Sequence, residues 1–372
     1  MFQMKIQKEQ LLIRSLIVSF FLCVGLNSFA QDSTKVKPRI KLFGIPAAYY
    51  TPETGFAVGA LGVISFNWKN DSINARISNI TLGFSITVLD QLLFYLPFNL
   101  LLKNDQLRVN GEIGYYKYTY FYSGIGNVSG TKEEKEESFR ISFPRLRLTF
   151  LKRVSPTFFI GIRGAFDSYS DLRLSENSKI AANNLNGIQV GNNLGFGPAI
   201  LYDSRSSIFY PRKGFLVDVI NTNDLGKVVS DYAFSRLIVD ASVFVSPFKK
   251  SVVGYNLYYQ QNTGNVPFYH LSLLGGNKKL RGQFEGEFRE KYAWQTQLEW
   301  RQEFMKNWGA AAFLGVGWIA PNWKSLQLKN QHVGYGVGIR YKVNKKDHIN
   351  IRLDVGFGNG KAYPYITIGE AF

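Results

Sequence analysis

From Val333 to Tyr341 the chain alternates without a break: Val333, Tyr335, Val337, Ile339 and Tyr341 make one apolar face, and Gly334, Gly336, Gly338 and Arg340 the other. In 349–357, Ile349, Ile351, Leu353, Val355 and Phe357 oppose Asn350, Arg352, Asp354 and Gly356. In 294–301, Trp294, Thr296, Leu298 and Trp300 oppose Gln295, Gln297, Glu299 and Arg301. Successive side chains of a strand point to opposite faces, so a period of two predicts extended segments with one apolar face. Followed along the chain, it predicts strands at 39–51, 56–68, 77–89, 92–103, 107–122, 139–151, 157–172, 193–202, 214–223, 231–247, 251–263, 291–304, 308–320, 331–343, 348–358 and 362–372. That is about 16, an even number that leaves both ends on one side of a membrane, with 12 or 14 as the fallback.

A soluble sandwich carries the same period, and two features argue against it. The strands run to about ten residues or more, the length of a tilted bilayer crossing. Their connections alternate short and long: Lys103-Asn104-Asp105-Gln106, Lys249-Lys250 and Met305-Lys306-Asn307 are turns, whereas 123–138, 174–192 and 263–290 are long loops. Short periplasmic turns and long extracellular loops are the habit of outer-membrane barrels. The fold class expected is therefore all-β, a transmembrane antiparallel β-barrel. The 30 Phe, 21 Tyr and 35 Gly suit such strands. A mean hydropathy of −0.10 is no objection, since only every second barrel residue faces lipid.

The N-terminus adds an export signal at 1–30: Lys5, Lys8 and Arg14 precede the apolar run LIVSFFLCVGL, and small residues end at Ala30. That run is too short for the roughly 20 residues of a spanning helix. A tether at 31–38 then leads to a barrel over 39–372. Cys23, the only cysteine, lies in the signal, so the chain from Gln31 onward can form no disulfide, thiolate nucleophile or cysteine metal site. Removing three basic and one acidic signal residue from 44 and 27 leaves 41 minus 26, a net +15. These cations are dispersed, mostly singly, at strand and turn positions, which suits a polar lumen and anionic lipid headgroups, not nucleic acid. The run Lys132-Glu133-Glu134-Lys135-Glu136-Glu137 reads as an exposed loop. His270, His332 and His348 stand apart with no metal-ligand spacing. No nucleophile elbow or phosphate loop occurs; neither an enzyme nor a cofactor is expected.

Three local patterns remain. DSRSSIFYPRKGF at 203–215 holds Asp203, Arg205, Phe209, Pro211 and Gly214 between two strands. LLGGNKKLRGQFEGEF at 273–288 holds Gly275, Gly276, Leu280, Arg281, Gly282 and Gln283 in the longest loop. The chain ends YITIGEAF, with Ile366, Ile368, Gly369 and Phe372. In this order, with five strands after the loop pattern, they resemble the barrel of the BamA/TamA superfamily of outer-membrane assembly factors and two-partner-secretion transporters. The resemblance is best over 193–372, and Phe121–Asn127 is also similar to a family segment. It implies that the long extracellular loop folds into the lumen and that Arg281 pairs with acids on the inner wall. It also implies that 203–214 is a periplasmic turn and that Ile366, Ile368, Gly369 and Phe372 form a C-terminal assembly signal. Phe372 reads equally as an aromatic girdle residue of the last strand.

Three departures stand out. The family's periplasmic POTRA domains have no room between Gln31 and Arg39, Gln283 replaces the aromatic residue after Arg-Gly, and Gly315 stands where the family has the arginine's acidic partner. Glu299 and then Asp354 are the substitutes nominated, both on inward faces. The inward glycines at 334, 336, 338, 356 and 358 would leave room for the loop. The function expected is insertion or transport of outer-membrane protein or lipid in a Gram-negative cell. A gated or passive solute pore and a lipid-handling or structural barrel are the alternatives. Partners expected are outer-membrane lipids and lipopolysaccharide, unfolded barrel clients, and periplasmic or outer-membrane accessory proteins.

Overall fold

The computed structural model describes residues 40–68, 77–127, 137–226, 230–344 and 348–372. The export signal, the tether and residues 132–136 of the acidic run lie outside the described residues. The strands are β1 (Ile40–Thr51), β2 (Gly55–Phe66), β3 (Ser78–Thr87), β4 (Leu92–Leu102), β5 (Leu107–Tyr122), β6 (Glu137–Ser155), β7 (Phe158–Ser168), β8 (Ser170–Arg173), β9 (Asn192–Asp203), β10 (Gly214–Asp224), β11 (Phe234–Val245), β12 (Ser251–Gly264), β13 (Ser272–Leu273), β14 (Arg289–Glu290), β15 (Tyr292–Glu303), β16 (Trp308–Ala320), β17 (His332–Asn344), β18 (Ile349–Gly358) and β19 (Lys361–Ile368). Leaving out the short β8, β13 and β14, sixteen strands pair antiparallel, each with its neighbour along the chain, and β19 returns to β1. The result is a closed sixteen-stranded barrel. Among the described residues, no helix is long and apolar enough to cross a membrane.

The two faces have the expected chemistry. Leu298 and Trp300 on β15 and Tyr335, Val337 and Ile339 on β17 project outward and are exposed. Their neighbours Gln295, Gln297, Glu299 and Arg301 are fully buried inside. A water-soluble protein would invert this; apolar outside and polar inside is the solution when the solvent is hydrocarbon.

Several boundaries differ from the sequence expectation. The strand expected at 157–172 breaks at Tyr169, and the piece that follows, β8, pairs with β6. The 174–192 loop carries one helical turn, α1 (Lys179–Ala182), capped by Ser178, whose Oγ accepts from the Ala181 amide at 3.2 Å. Glu137 is buried and accepts from the Lys179 amide at 2.9 Å, so this last acid of the run departs from the exposed loop expected of it. A carboxylate suits the unpaired amides of a helix start. The last strand stops at Ile368, because Gly369 takes a left-handed φ of 87° and turns the remaining residues inward.

Closure is uneven. β1 pairs with β2 along its whole length, from Ile40 opposite Phe66 to Thr51 opposite Gly55. Against β19 it has one partner pair, Tyr50 opposite Ile366. Among the described residues, no residue of β1 from Ile40 to Tyr49 is paired with one of β19.

Candidate functional site in the barrel lumen

The loop between β12 and β15 folds back into the barrel. Its Leu274, Leu280 and Phe288 pack on Ala293 and Ile319 of the wall. The fold-back needs glycine: Gly275 and Gly282 have φ of 104° and 97°, and a side chain on Gly275 would meet the Gln283 and Phe284 carbonyl oxygens at 2.7 Å.

Arg281 stands at the tip, fully buried. Its Nη2 is ion-paired with Glu299 of β15, and its Nη1 with Asp354 of β18 at 2.6 Å. Its backbone amide and Nε both donate to Gln297 Oε1, at 3.2 and 3.1 Å, and its guanidinium lies 3.7 Å from the ring centre of Phe313. The planar fork lets one side chain hold two carboxylates on strands that are not neighbours, which an ammonium could not do. Around it, Arg340 reaches Asp354 (2.5 Å), Glu370 (2.9 Å) and Glu299 (3.3 Å). Arg301 pairs with Glu299, and Arg352 lies 3.5 Å from Asp354. Four guanidiniums thus share three buried carboxylates. Sequence reading placed 301, 340 and 352 on inward faces without assigning them to the site, and it missed Glu370.

The inward glycines form the floor. A side chain on Gly334 would strike the Arg281 carbonyl oxygen, and one on Gly356 or Gly358 would strike the backbone of Gly282. Gly336 and Gly338 face Phe313 and Asp354. Gly315 has no room for an acid: an added Cβ would lie 2.7 Å from Leu280 and 2.6 Å from the Thr296 carbonyl oxygen. Gln283 is buried and donates to the Val333 carbonyl oxygen at 2.7 Å. The aromatic contact is made one residue later by Phe284, edge-on to Phe121 at 5.2 Å and 6.4 Å from Tyr363. The 121–127 segment packs here as well: the Gly126 amide donates to the Arg289 carbonyl oxygen at 2.9 Å, and Asn127 Oδ1 lies 2.6 Å from His332 Nε2.

The same loop touches both sides of the barrel's weak closure. The Gly282 amide donates to the Tyr365 hydroxyl of β19 at 3.1 Å, and the Glu285 amide donates to Glu53 Oε1, in the turn after β1, at 3.0 Å. Gln91 holds that turn in turn, donating to the Glu53 and Thr119 carbonyl oxygens at 3.1 Å each. Burial, and secondarily the Glu285 carboxylate, push the Glu53 carboxyl up to about 7.

At the opposite mouth, Asp203 and Arg205 form a two-pronged ion pair at 3.0 and 3.2 Å. Gly214 has a φ of 105° and starts β10. The aromatic that enters the barrel is Tyr210, not Phe209: Phe209 is 49% exposed, while Tyr210 is buried with Phe244 and Val252, and Pro211 beside it is buried. Phe372 joins this cluster, and Arg301 donates to its main-chain oxygen at 3.0 Å. The last residue is therefore an inner contact and not a girdle residue, while Ile366 and Ile368 stay exposed on the outside. Among the described residues no group of acids and histidines could hold a metal ion.

The sequence profile of the Omp85 superfamily domain matches residues 64–363, most of the chain. The chain belongs to the Omp85 superfamily. Its fold is that of solved Omp85-type barrels: BamA from Haemophilus ducreyi lacking POTRA domains 1–3 (TM-score 0.58, 14% identity, 90% of this chain and 71% of that one) and CdiB from Acinetobacter baumannii (0.57, 13%, 90% and 60%). CdiB from Escherichia coli is similar as well (0.59, 11%, 90% and 63%). At these identities the likeness is one of fold. No curated protein matches the chain by sequence. The chain spans about 60–70% of the length of these solved Omp85-type chains, and its described residues contain no POTRA-like unit.

Proposed function

We propose that this Omp85 barrel inserts or translocates outer-membrane proteins in a Gram-negative cell, taking a client strand at the seam between β1 and β19. One observation carries the reading: β1 meets β19 at a single residue pair, and among the described residues the β1 edge from Ile40 to Tyr49 has no paired residue on that side. An unpaired edge is a template on which another chain adds a strand, with backbone hydrogen bonds supplying affinity without demanding one sequence. Ile40 and Leu42 on its outward face are exposed, so a client entering there would meet apolar side chains at lipid depth. The Arg281 cluster anchors the loop that spans the seam. Clients are unfolded barrels or secreted chains, with accessory proteins in the periplasm or outer membrane delivering them.

The test is quantitative outer-membrane proteomics after deletion of the gene, complemented with the normal chain or with Arg281→Ala. Loss of several unrelated barrels or one exported protein, rescued by the normal chain and not by the variant, is the expected result. An unchanged protein set with a solute-uptake defect would move the assignment to a pore.

A further inference from the structure

The outside of the barrel carries one feature that the seam and the lumen do not use. On β5 the outward residues Ile113 and Tyr115 are exposed and apolar, and the next outward position is Lys117. On β6, read upward, Phe150, Leu146 and Pro144 are followed by Ser142 and Arg140. Lys117 lies directly opposite Ser142, and Arg140 opposite both Thr119 and Arg173 of β8. Lys117, Arg140 and Arg173 therefore form one outward group on neighbouring strands, just above the point where the apolar band ends, at the rim away from Ile40 and Phe372. Other strands present uncharged side chains at that outward position: Asn223 on β10, Ser235 on β11 and Thr263 on β12. Those three strands carry no charge at that outward position.

Two carboxylates accompany the three cations. Asp90 lies 2.8 Å from Arg140 Nη1 and 3.4 Å from Lys117, and Asp171 lies 2.9 Å from Arg173 Nε. Among the described residues the cations outnumber the carboxylates here, three to two. We propose that Lys117, Arg140 and Arg173 form a binding surface for the phosphate groups of an outer-leaflet glycolipid of lipopolysaccharide type, whose acyl chains run down over Tyr115, Ile113 and Leu146. A phosphate oxygen suits the exposed Arg173 guanidinium and the partly exposed Lys117 ammonium, with the Arg140 charge beside them. The order apolar, aromatic, basic up the wall is the order of acyl chain, interface and headgroup in the leaflet. This surface does not depend on the seam reading.

The experiment purifies the full-length protein from outer membranes in mild detergent and quantifies co-purifying lipid A phosphate by mass spectrometry. The Lys117→Ala/Arg140→Ala/Arg173→Ala variant is compared with Lys152→Ala/Arg153→Ala, which removes two charges at the opposite rim. The triple variant should retain at least about tenfold less, with heat-modifiable mobility showing a folded barrel, and the control should retain the normal amount. Equal retention by the folded triple variant, or equal loss from both variants, overturns the proposal. Should the triple variant not assemble, Asp90→Asn decides: removing the competing carboxylate should raise retention, and no change overturns the assignment.

Discussion

Tyr50 and Ile366 face each other as the one residue pair that joins the first and last barrel strands. The neighbouring β1–β2 hairpin is paired along every residue of β1. A ladder of one pair contributes little, so closure there depends on what bridges it. The lumen loop does so, through Gly282 to Tyr365 on one side and Glu285 to Glu53 on the other.

Cysteines at 50 and 366 should lock the seam. The chain from Gln31 onward is cysteine-free, and antiparallel partners stand about 4.5–5.5 Å apart, within the span of a disulfide. Oxidised Tyr50→Cys/Ile366→Cys is expected to form the bond and to abolish complementation of a deletion strain, with recovery on reduction. Full complementation by the oxidised form would remove the seam from the mechanism.

Arg281→Ala leaves Glu299 and Asp354 buried with less compensation, and such losses cost about 3–5 kcal/mol. Arg281→Lys should recover only part, because a single ammonium cannot span both carboxylates. The order normal, Lys, Ala in the temperature at which heat-modifiable mobility is lost checks this.

Gly356→Ala and Gly358→Ala put a methyl group against the Gly282 backbone and should each cost about 1–3 kcal/mol. They should also expose Lys278 and Lys279 to trypsin as the loop lifts. Gly62→Ala is the control, since its added Cβ would lie 4.0 Å from the nearest atom, the Leu82 carbonyl oxygen.

Glu53 predicts a pH dependence. Its carboxyl is pushed from an ordinary 4.5 up to about 7, so between those values the folded protein holds a proton that the unfolded chain releases. Stability should therefore fall as pH rises from about 4.5 to about 7, by at most about 3 kcal/mol, and level off above. The groups lining its pocket are Glu285 of the loop and Tyr118 and Tyr120 of β5, with no cation among them to reverse the sign. Unfolding midpoints at pH 5, 6, 7 and 8 measure the slope, and Glu53→Gln should flatten it.

At the other mouth, Tyr210→Ala should cost about 3–5 kcal/mol, because it empties a buried cluster with Phe244 and Val252 and removes the ring stacked 3.8 Å from His348. Phe209→Ala should cost less than about 1 kcal/mol, since that ring is half exposed. Thermal midpoints of the two variants separate the positions.

The period of two was enough for the barrel class, for the faces of the strands and for a strand number near the sixteen observed, because lipid outside and polar groups inside leave a strand no other pattern. The glycines at 275, 276 and 282 permit a tight fold-back, but that the loop enters the lumen was implied by the family resemblance and not by the residue pattern. Inward faces were enough to nominate Glu299 and Asp354 as partners of Arg281, but that one guanidinium reaches both was decided by tertiary structure. Glu299 and Asp354 lie on β15 and β18, with two strands between them, and a loop crossing the lumen brings one guanidinium to both. Glu370 joins only because Gly369 turns the chain inward, and Gly315 is excluded because Leu280 occupies its space. Tyr210 rather than Phe209 enters the barrel because the turn, not the motif, sets which side chain points inward. The seam is of the same kind: alternation records which face each residue of β1 presents, but the number of hydrogen-bonded partners across the closure depends on strand register around the whole barrel, which no local pattern encodes.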